Sequence, residues 1–414
     1  MTIHDLKEYK KVEVIHTTLV SEIILLNNPL TQDNLCLKVV IRNPPKPHSP
    51  MREIEILKLF KEYPHDNIIQ YMQDWKDVEN INIVFPYYRQ DLKQIMLRYW
   101  QWYVPTTENT DVQRRSYLSG LFTLGMKSED YKQDFKEISL ERKHFLINKT
   151  PKKLMIKVWE NLTSALKHLH KHDIMHRDLK PENVMYDEQR DMFVVIDFGI
   201  STGTRDNPNE LLKPDGILDV GTYIYKPLEV LIGIKDYNCK VDMWSLMVIM
   251  HQLSVPFQCG YALKPHYYMG NEEDGVDEWI KRVCDKYNGS KERVHKKYDM
   301  NKKLQTIPAL IDDGGYLIEN KGKLELCEGS DIGLLSSIHD IFGCPLKRQF
   351  PMGEKSMAWV YMYNNNDEPE QVYYRSDERR INFLKSYMFG MIDDEYKEEL
   401  LNMCEFDFNK RVLK

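Results

Sequence analysis

His176-Arg177-Asp178-Leu179-Lys180-Pro181-Glu182-Asn183, with Asp197-Phe198-Gly199 a short way downstream, is the stretch that decides the reading of this chain. Its residue types suit the transfer of a phosphoryl group. That reaction asks little covalent work of a protein: the nucleotide must be held, a divalent cation must bridge the phosphates, and the acceptor hydroxyl must be aimed in line. Asp178 is expected to orient the hydroxyl and take its proton, a role typically contributing about 10²–10⁴-fold. Asn183, five residues on across a tight loop, is expected to ligate the metal. Lys180 lies between them, placed to neutralise the phosphate in transit, and a lysine there fits serine or threonine acceptors rather than tyrosine. Asp197 follows the apolar run Val194-Val195-Ile196, read as a buried strand ending at a cleft. Its carboxylate is a hard oxygen ligand suited to Mg²⁺. A lone Asp-Phe-Gly would be an ordinary turn; the two segments together are not.

Upstream, Lys38 interrupts the otherwise apolar strand Leu35-Cys36-Leu37-Lys38-Val39-Val40. An unpaired buried ammonium is costly, so a partner is expected. Glu53, in Arg52-Glu53-Ile54-Glu55-Ile56-Leu57, is the first choice, and Glu55, two positions away on the helix, is the competitor. Such an ion pair would hold the lysine against nucleotide phosphates. Val84-Phe85-Pro86-Tyr87-Tyr88 passes from strand to helix, where an adenine would meet backbone groups: the Pro86 carbonyl as acceptor and the Tyr88 N–H as donor. Asp91 either reaches the ribose or caps the following helix.

Val12–Ile15, Ile23–Leu26, Leu35–Ile41, Ile68–Asp74 and Asn80–Phe85 read as strands of one sheet, with a helix over Met51–Glu62. Beyond them the chain reads as mostly helical: Gln90–Trp100, an amphipathic Leu154–His170 and an apolar Val241–Leu253, with a hairpin around Val184-Met185 and Phe193–Ile196. The fold class is therefore α+β. Residues 1–88 are expected to form a small β-rich lobe with one helix, and residues 89–414 a larger, mainly helical lobe. Residues 101–152 turn polar and read as an insertion. That insertion, and residues 256–304, are either recognition elements or tolerated surface loops.

The 42% hydrophobic and 29% charged residues suit a globular protein. With 57 basic and 63 acidic residues the net charge is −6, so neither nucleic acid nor an anionic membrane is expected as main partner. The polar opening Met1–Glu8 does not read as a secretory signal, and the apolar run Met243–Met250 is far shorter than a membrane span. Seven cysteines without a Cys-x-x-Cys pair read as reduced thiols, not a zinc site.

The motifs together resemble the eukaryotic protein kinases, whose bilobal fold is the expected one. Arg52-Glu53-Ile54 and Gln90-Asp91-Leu92-Lys93 resemble the cyclin-dependent kinase branch. Thr222–Lys226, Glu229–Gly233, Val241–Leu246 and Ile307–Gly314 are similar to the single-chain kinases of budding yeasts that activate cyclin-dependent kinases. The resemblance implies ATP and Mg²⁺ as cofactors and activity as a monomer without a cyclin. It implies the activation-loop threonine of cyclin-dependent kinases as substrate and a cytoplasmic and nuclear location. It also implies that Gly221–Glu229 is the substrate-binding end of an activation segment. Thr222 is then expected to bond Asp178 and Lys180, Glu229 to pair with Arg411, and Asp242 to brace the catalytic loop. Pro227-Leu228 departs from the Ala-Pro expected there.

Two further departures matter. Kinases cover the phosphates with a glycine-rich loop, yet no glycine precedes Gly120. Thr17-Thr18-Leu19-Val20-Ser21 occupies that place, and close backbone approach is harder there. A non-catalytic pseudokinase is one reading of this, opposed by the retention of Lys38, Glu53, Asp178, Asn183 and Asp197. Another kinase of the same branch, with other substrates, is a second alternative. Between Arg205 and Gly221 there is no serine, threonine or tyrosine. Arg177 is therefore expected to meet a carboxylate, Asp215 or Asp219, in place of a phosphate, leaving the enzyme constitutively active.

Overall fold

Alternating apolar residues over the first ninety positions build an antiparallel sheet. In the computed structural model, which describes residues 5–103, 145–259, 307, 309, 311, 316–320, 323–327, 330–343, 350–356 and 378–413, this sheet has five strands. They are β1 (Lys10–Thr17), β2 (Ser21–Asn27), β3 (Asn34–Ile41), β4 (Gln73–Lys76) and β5 (Asn80–Pro86), ordered β1-β2-β3-β5-β4. Ile24, Leu26, Leu35 and Val84 pack together on one face. β5 is buried from Ile81 to Phe85, whereas the edge strand β1 is exposed along its whole length. The turn between β1 and β2 is closed by Thr18, whose hydroxyl accepts the N–H groups of Val20 and Ser21 at 3.2 and 3.0 Å. Leu19 at its tip is fully exposed.

Between β3 and β4 runs α1 (Pro50–Glu62). Ser49 caps it by accepting the Arg52 N–H, and Pro50 sits in the first turn, where a missing N–H costs nothing. Its inner face carries Glu53, Ile54, Ile56, Leu57 and Phe60. The strand expected over Ile68–Asp74 is displaced to β4. Backbone groups at Asn67 and Ile69 are instead taken by Val195, which donates to the Asn67 carbonyl at 2.9 Å and accepts from the Ile69 N–H at 3.0 Å.

The helix expected over Gln90–Trp100 is also shorter. Gln90–Asp91 form β6, α2 covers Leu92–Leu97, and Trp100–Tyr103 form β7. Asp91 accepts the Gln94 N–H at 2.7 Å and starts the helix there. The aromatic run Trp100, Trp102, Tyr103 has strand preference and pairs with β8 (Phe145–Asn148). Most of the expected insertion, residues 104–144, lies outside the described residues, as do residues 260–304 of the 256–304 stretch. Of Ile307–Gly314, the described Ile307, Ala309 and Ile311 are buried.

α3 (Lys152–Lys171) is followed by β9 (Ile174–Met175), then the hairpin of β10 (Val184–Asp187) and β11 (Met192–Val195). β10 also pairs with β6. β12 (Thr202–Gly203) returns to β9. α4 (Leu228–Leu231) and α5 (Lys240–Ser254) come next, the latter buried on all sides from Val241 to Ser254. β13 (Phe257–Cys259) adds to β8, β14 (Tyr316–Asn320) pairs with β15 (Lys323–Cys327), and α6 (Asp331–Phe342), α7 (Glu378–Phe383) and α8 (Asp394–Met403) follow. No helix of the described residues is long and apolar enough to cross a membrane.

The chain divides into two units, each discontinuous in sequence. One comprises Met1–Ile95, Ile156–Leu246 and Phe408–Lys414. It holds the five-stranded sheet, α1, and every residue picked out above as catalytic or nucleotide-binding. The other comprises Met96–Met155 and Met247–Asp407. Within it, Asn148 at the end of β8 donates to the carbonyls of Leu253 and Val255 at 2.9 and 3.0 Å, so one buried amide ties the β13-β8-β7 sheet to the end of α5.

Candidate active site

Lys38 stands mid-strand on β3, its Nζ 2.7 Å from Glu53 Oε1 and 2.7 Å from Asp197 Oδ1. Burial by itself would lower the ammonium's pKa, but the two carboxylates outweigh it and hold Lys38 well above its ordinary value. Asp197 is the mirror case: burial would raise it, and Lys38 holds it well below the usual carboxylate range. Burial pushes Glu53 up while Lys38 pulls it back. With the three side chains in contact, the ammonium is what keeps two carboxylates this close. Glu55, the competing partner, turns away to Lys58 at 3.7 Å.

Two neighbours let Asp197 reach that position. A Cβ at Gly199 would lie 3.2 Å from Asp197 Oδ1 and 3.3 Å from Lys38 Nζ, so the bare glycine leaves room for the pair. Phe198 wedges between Phe60 of α1 and His176, with ring centroids 5.8 and 5.2 Å away. Asp197 itself has φ +64°, a left-handed backbone uncommon outside glycine.

The loop from β9 to β10 is braced from below. Asp242, in the first turn of α5, accepts the N–H groups of His176 and Arg177, both at 2.9 Å. Arg177 also has a positive φ, +67°. Such strain persists where surroundings over-determine it, and the two bonds to Asp242 are that constraint. His176 contacts the Ile196 carbonyl at 2.9 Å through Nε2, linking this loop to the residue before Asp197.

Asp178 is held from three sides. Thr222 donates its hydroxyl to Oδ1 at 2.5 Å, Lys180 Nζ lies 2.8 Å from Oδ2, and Asn183 Nδ2 donates to Oδ2 at 3.1 Å and to the Asp178 carbonyl at 2.8 Å. Lys180 also donates to Thr222 Oγ1 at 2.8 Å. The expected bonds of Thr222 to Asp178 and Lys180 are thus present. Gly221 precedes Thr222 with φ +80°, and a Cβ there would lie 3.3 Å from the Arg177 carbonyl.

A magnesium ion with a nucleotide fits these donors. Magnesium is held by one or two carboxylates together with phosphate oxygens and water. Asp197 gives one oxygen to Lys38, and its side chain stays 43% exposed. Asn183 spends its amide N–H on Asp178, leaving Oδ1 as a neutral oxygen ligand. Among the described residues no cluster of three or more His, Cys, Asp or Glu could hold a metal unaided. Tyr88, just past β5, makes no backbone N–H bond among the described residues. Pro86 closes β5 beside it. Of the two roles open to Asp91, the cap on Gln94 is the one the structure displays.

Among the ion pairs that sequence reading missed, two lie near these residues. Lys93 and Glu182 meet at 2.8 Å, and Arg52 NH1 reaches Asp215 Oδ2 at 2.8 Å. Asp215 is also the carboxylate that receives Arg177, at 2.7 Å; Asp219 lies instead 3.9 Å from Lys226. The only local cue for Arg52 was its place beside Glu53.

Comparison with known proteins finds similarity to protein kinases. Residues 129–302 match the model of the protein kinase domain. That span includes Asp178, Lys180, Asn183 and Asp197 and begins after Lys38 and Glu53. Serine/threonine-protein kinase CAK1 of Saccharomyces cerevisiae is 26% identical over 193 residues, which are 45% of this chain and 39% of that protein. Serine/threonine-protein kinase 33 of Mus musculus is 35% identical over 159 residues, 36% of this chain and 28% of that protein. Serine/threonine-protein kinase csk1 of Schizosaccharomyces pombe is 32% identical over 97 residues, 23% of this chain and 31% of that protein. The chain thus spans well under half the length of the curated relatives it matches.

Proposed function

We propose that this chain is an ATP-dependent serine/threonine protein kinase of bilobal fold. We further propose that it acts as a monomer, without a cyclin, on the activation-loop threonine of cyclin-dependent kinases. The observation that carries the activity is the arrangement around Asp178: one carboxylate fixed by Thr222, Lys180 and Asn183, in the same unit as the Lys38–Glu53–Asp197 cluster. The kinase-domain match and the serine/threonine kinase relatives support the same activity. The narrower substrate rests on the motifs quoted above and on the similarity to CAK1.

In this reading, bound Mg–ATP supplies the phosphoryl group and the charge neutralisation that goes with the metal. Asp178 accepts the proton of the incoming hydroxyl. Lys180, already 2.8 Å from Asp178, offsets negative charge building between donor and acceptor. Thr222 donates to Asp178 and so aims the carboxylate. Lys38, kept cationic by its two carboxylates, presents an ammonium for phosphate oxygens. No glycine is available to bring the β1–β2 turn close to the phosphates, so the Lys38 cluster carries more of the nucleotide's positioning.

The test is phosphate transfer from labelled ATP to a purified cyclin-dependent kinase, by the parent chain and by Asp178→Asn. The parent is expected to label the loop threonine, and the variant to fall by about 10²–10⁴-fold. Transfer to generic peptides but not to that threonine would leave a kinase with other substrates. No transfer to either would leave a non-catalytic scaffold, the reading favoured by the glycine-free turn.

A further inference from the structure

Between β3 and α1 the chain runs Asn43-Pro44-Pro45-Lys46-Pro47-His48-Ser49-Pro50. Four of these eight residues are prolines, whose rings fix φ and stiffen the segment. The His48 N–H closes a turn on the Pro45 carbonyl at 3.2 Å, and the Ser49 N–H donates to the Gly199 carbonyl at 3.0 Å. The loop is thereby pinned to the Asp197-Phe198-Gly199 turn. Gly199 is itself close to the ion pair: a Cβ there would lie 3.2 Å from Asp197 Oδ1 and 3.3 Å from Lys38 Nζ. His48 is therefore one residue away from a backbone bond to the centre of the site.

The imidazole of His48 is partly buried. Burial lowers its pKa, and Asp197, Lys38 and Asp178, in that order, are the charged groups that act on it. Yet the ring makes no hydrogen bond, ion pair or ring contact among the described residues, and neither of its nitrogens is sealed in the interior. By contrast His65, His168, His170, His172, His176 and His251 each bring a ring nitrogen to 2.9–3.1 Å from a protein oxygen. Those rings are occupied with holding the fold; the His48 ring is open to a ligand. A neutral imidazole offers one N–H donor. Ionised Asp197 and Asp178 are acceptors only, so phosphate oxygens in this place depend on other side chains for donors. The β1–β2 turn has no glycine to bring its backbone N–H groups close. Asp197 and Lys38 act on the ring more strongly than Asp178 does, which favours the phosphates over the incoming hydroxyl as its target.

We propose that His48 is a phosphate-contacting residue, its imidazole donating an N–H to a phosphate oxygen of the bound nucleotide, so that the loop before α1 supplies part of the hold that the glycine-free β1–β2 turn does not. The identity of the nucleotide rests on the kinase reading above; the contact itself requires binding and not transfer. Alanine at 48 removes the donor. Asparagine and glutamine place an amide N–H near the positions of Nδ1 and Nε2, so one of the two restores it.

Calorimetric titration of the full chain with Mg–ATP, and separately with adenosine, tests this. His48→Ala is expected to weaken Mg–ATP by about 10-fold, the scale of a hydrogen bond to a charged group, and to leave adenosine within about twofold. Either His48→Asn or His48→Gln is expected to recover most of the loss. In steady-state kinetics with a serine/threonine peptide, the KM for ATP should rise with the binding constant while the KM for the peptide stays nearly unchanged. Equal Mg–ATP affinity in the parent and His48→Ala, tighter binding by the variant, or an equal loss for adenosine would each overturn the proposal. So would a rise in the peptide KM alone, which would assign His48 to the acceptor. A parent that binds Mg–ATP, weakens on His48→Ala and still transfers no phosphate would sink the kinase reading and keep this one; a parent that binds no nucleotide would sink both.

Discussion

At Gly199 a single added methyl group would crowd the Lys38–Asp197 pair. The backbone there has an ordinary φ, so alanine brings no conformational strain of its own, and its effect would come from crowding. Its Cβ would stand 3.2 Å from Asp197 Oδ1 and 3.3 Å from Lys38 Nζ, tighter than ordinary contact. One of those groups must shift. Gly199→Ala is therefore expected to lower kcat/KM for ATP by about 10-fold or more, at nearly unchanged thermal stability, because in the proposed reading these groups hold the phosphates and a displacement of less than an ångström is enough for that. A full kinetic profile alongside a melting curve checks it; equal kcat/KM would show that the pair tolerates the crowding. At this scale much is legible in the sequence. A lysine on an apolar strand demands a partner, and Glu53 is the nearest fit; Thr222, Asp242 and Arg411 stand out through the motifs that hold them. Arg52 does not, because its partner Asp215 is 163 positions away in a segment with no periodicity to place it.

Elements are legible where one period holds over several turns. The pattern over Leu154–His170 predicts α3, which runs Lys152–Lys171. The helix after β5 is overextended in the sequence reading because its end carries no glycine or proline, and its aromatic residues go to β7 for pairing that lies outside the helix. The last turn of α3 makes a prediction of its own. His170 Nε2 lies 3.0 Å from Asp242 Oδ2, with side chains 13% and 1% exposed. Burial would depress the imidazole, but bonding to Asp242, with a contribution from Cys239, raises it to about 9. Both helix ends agree with the charges, a cation near a C-terminus and an anion in a first turn. The folded value lies above the ordinary one near 6.5, so the stabilisation is complete below about pH 6.5 and is lost as pH rises through about 9. Denaturant unfolding of the parent should show stability declining by about 3 kcal/mol over that window, while His170→Gln should show a flatter profile. Since Asp242 also holds the His176 and Arg177 N–H groups, alkaline loss of this pair should loosen the catalytic loop before global unfolding. Parallel parent and variant profiles would rule out the pair as the source of the slope.

On the scale of the whole chain, the unit that carries the site also takes in Phe408–Lys414. Arg411 returns to the unit as a fully buried cation, donating to Glu229 at 2.6 and 2.9 Å and to the Lys240 carbonyl at 3.2 Å, with its guanidinium 5.2 Å from the Trp244 ring. Both side chains of the pair have no exposed surface. Sequence alone suggests the partners; what it does not supply is that they are sealed from water, which changes the energetics. Desolvating two charges is expensive, so the intact pair need add little net stability, yet breaking it leaves one charge stranded in the interior. Arg411→Met is accordingly expected to destabilise the protein by about 3–5 kcal/mol. Replacing both partners, with Glu229→Gln and Arg411→Met, should restore a large part of that loss, because no unpaired charge remains. Glu229 opens the short helix α4, directly after the segment that carries Thr222, so the single variant should also lose transfer activity while still folded at low temperature. Urea unfolding of the parent, both single variants and the double variant measures the coupling. A double variant as unstable as the two single losses added together would mean that Arg411 acts through packing on Trp244, and that a stranded charge is not what makes its loss costly.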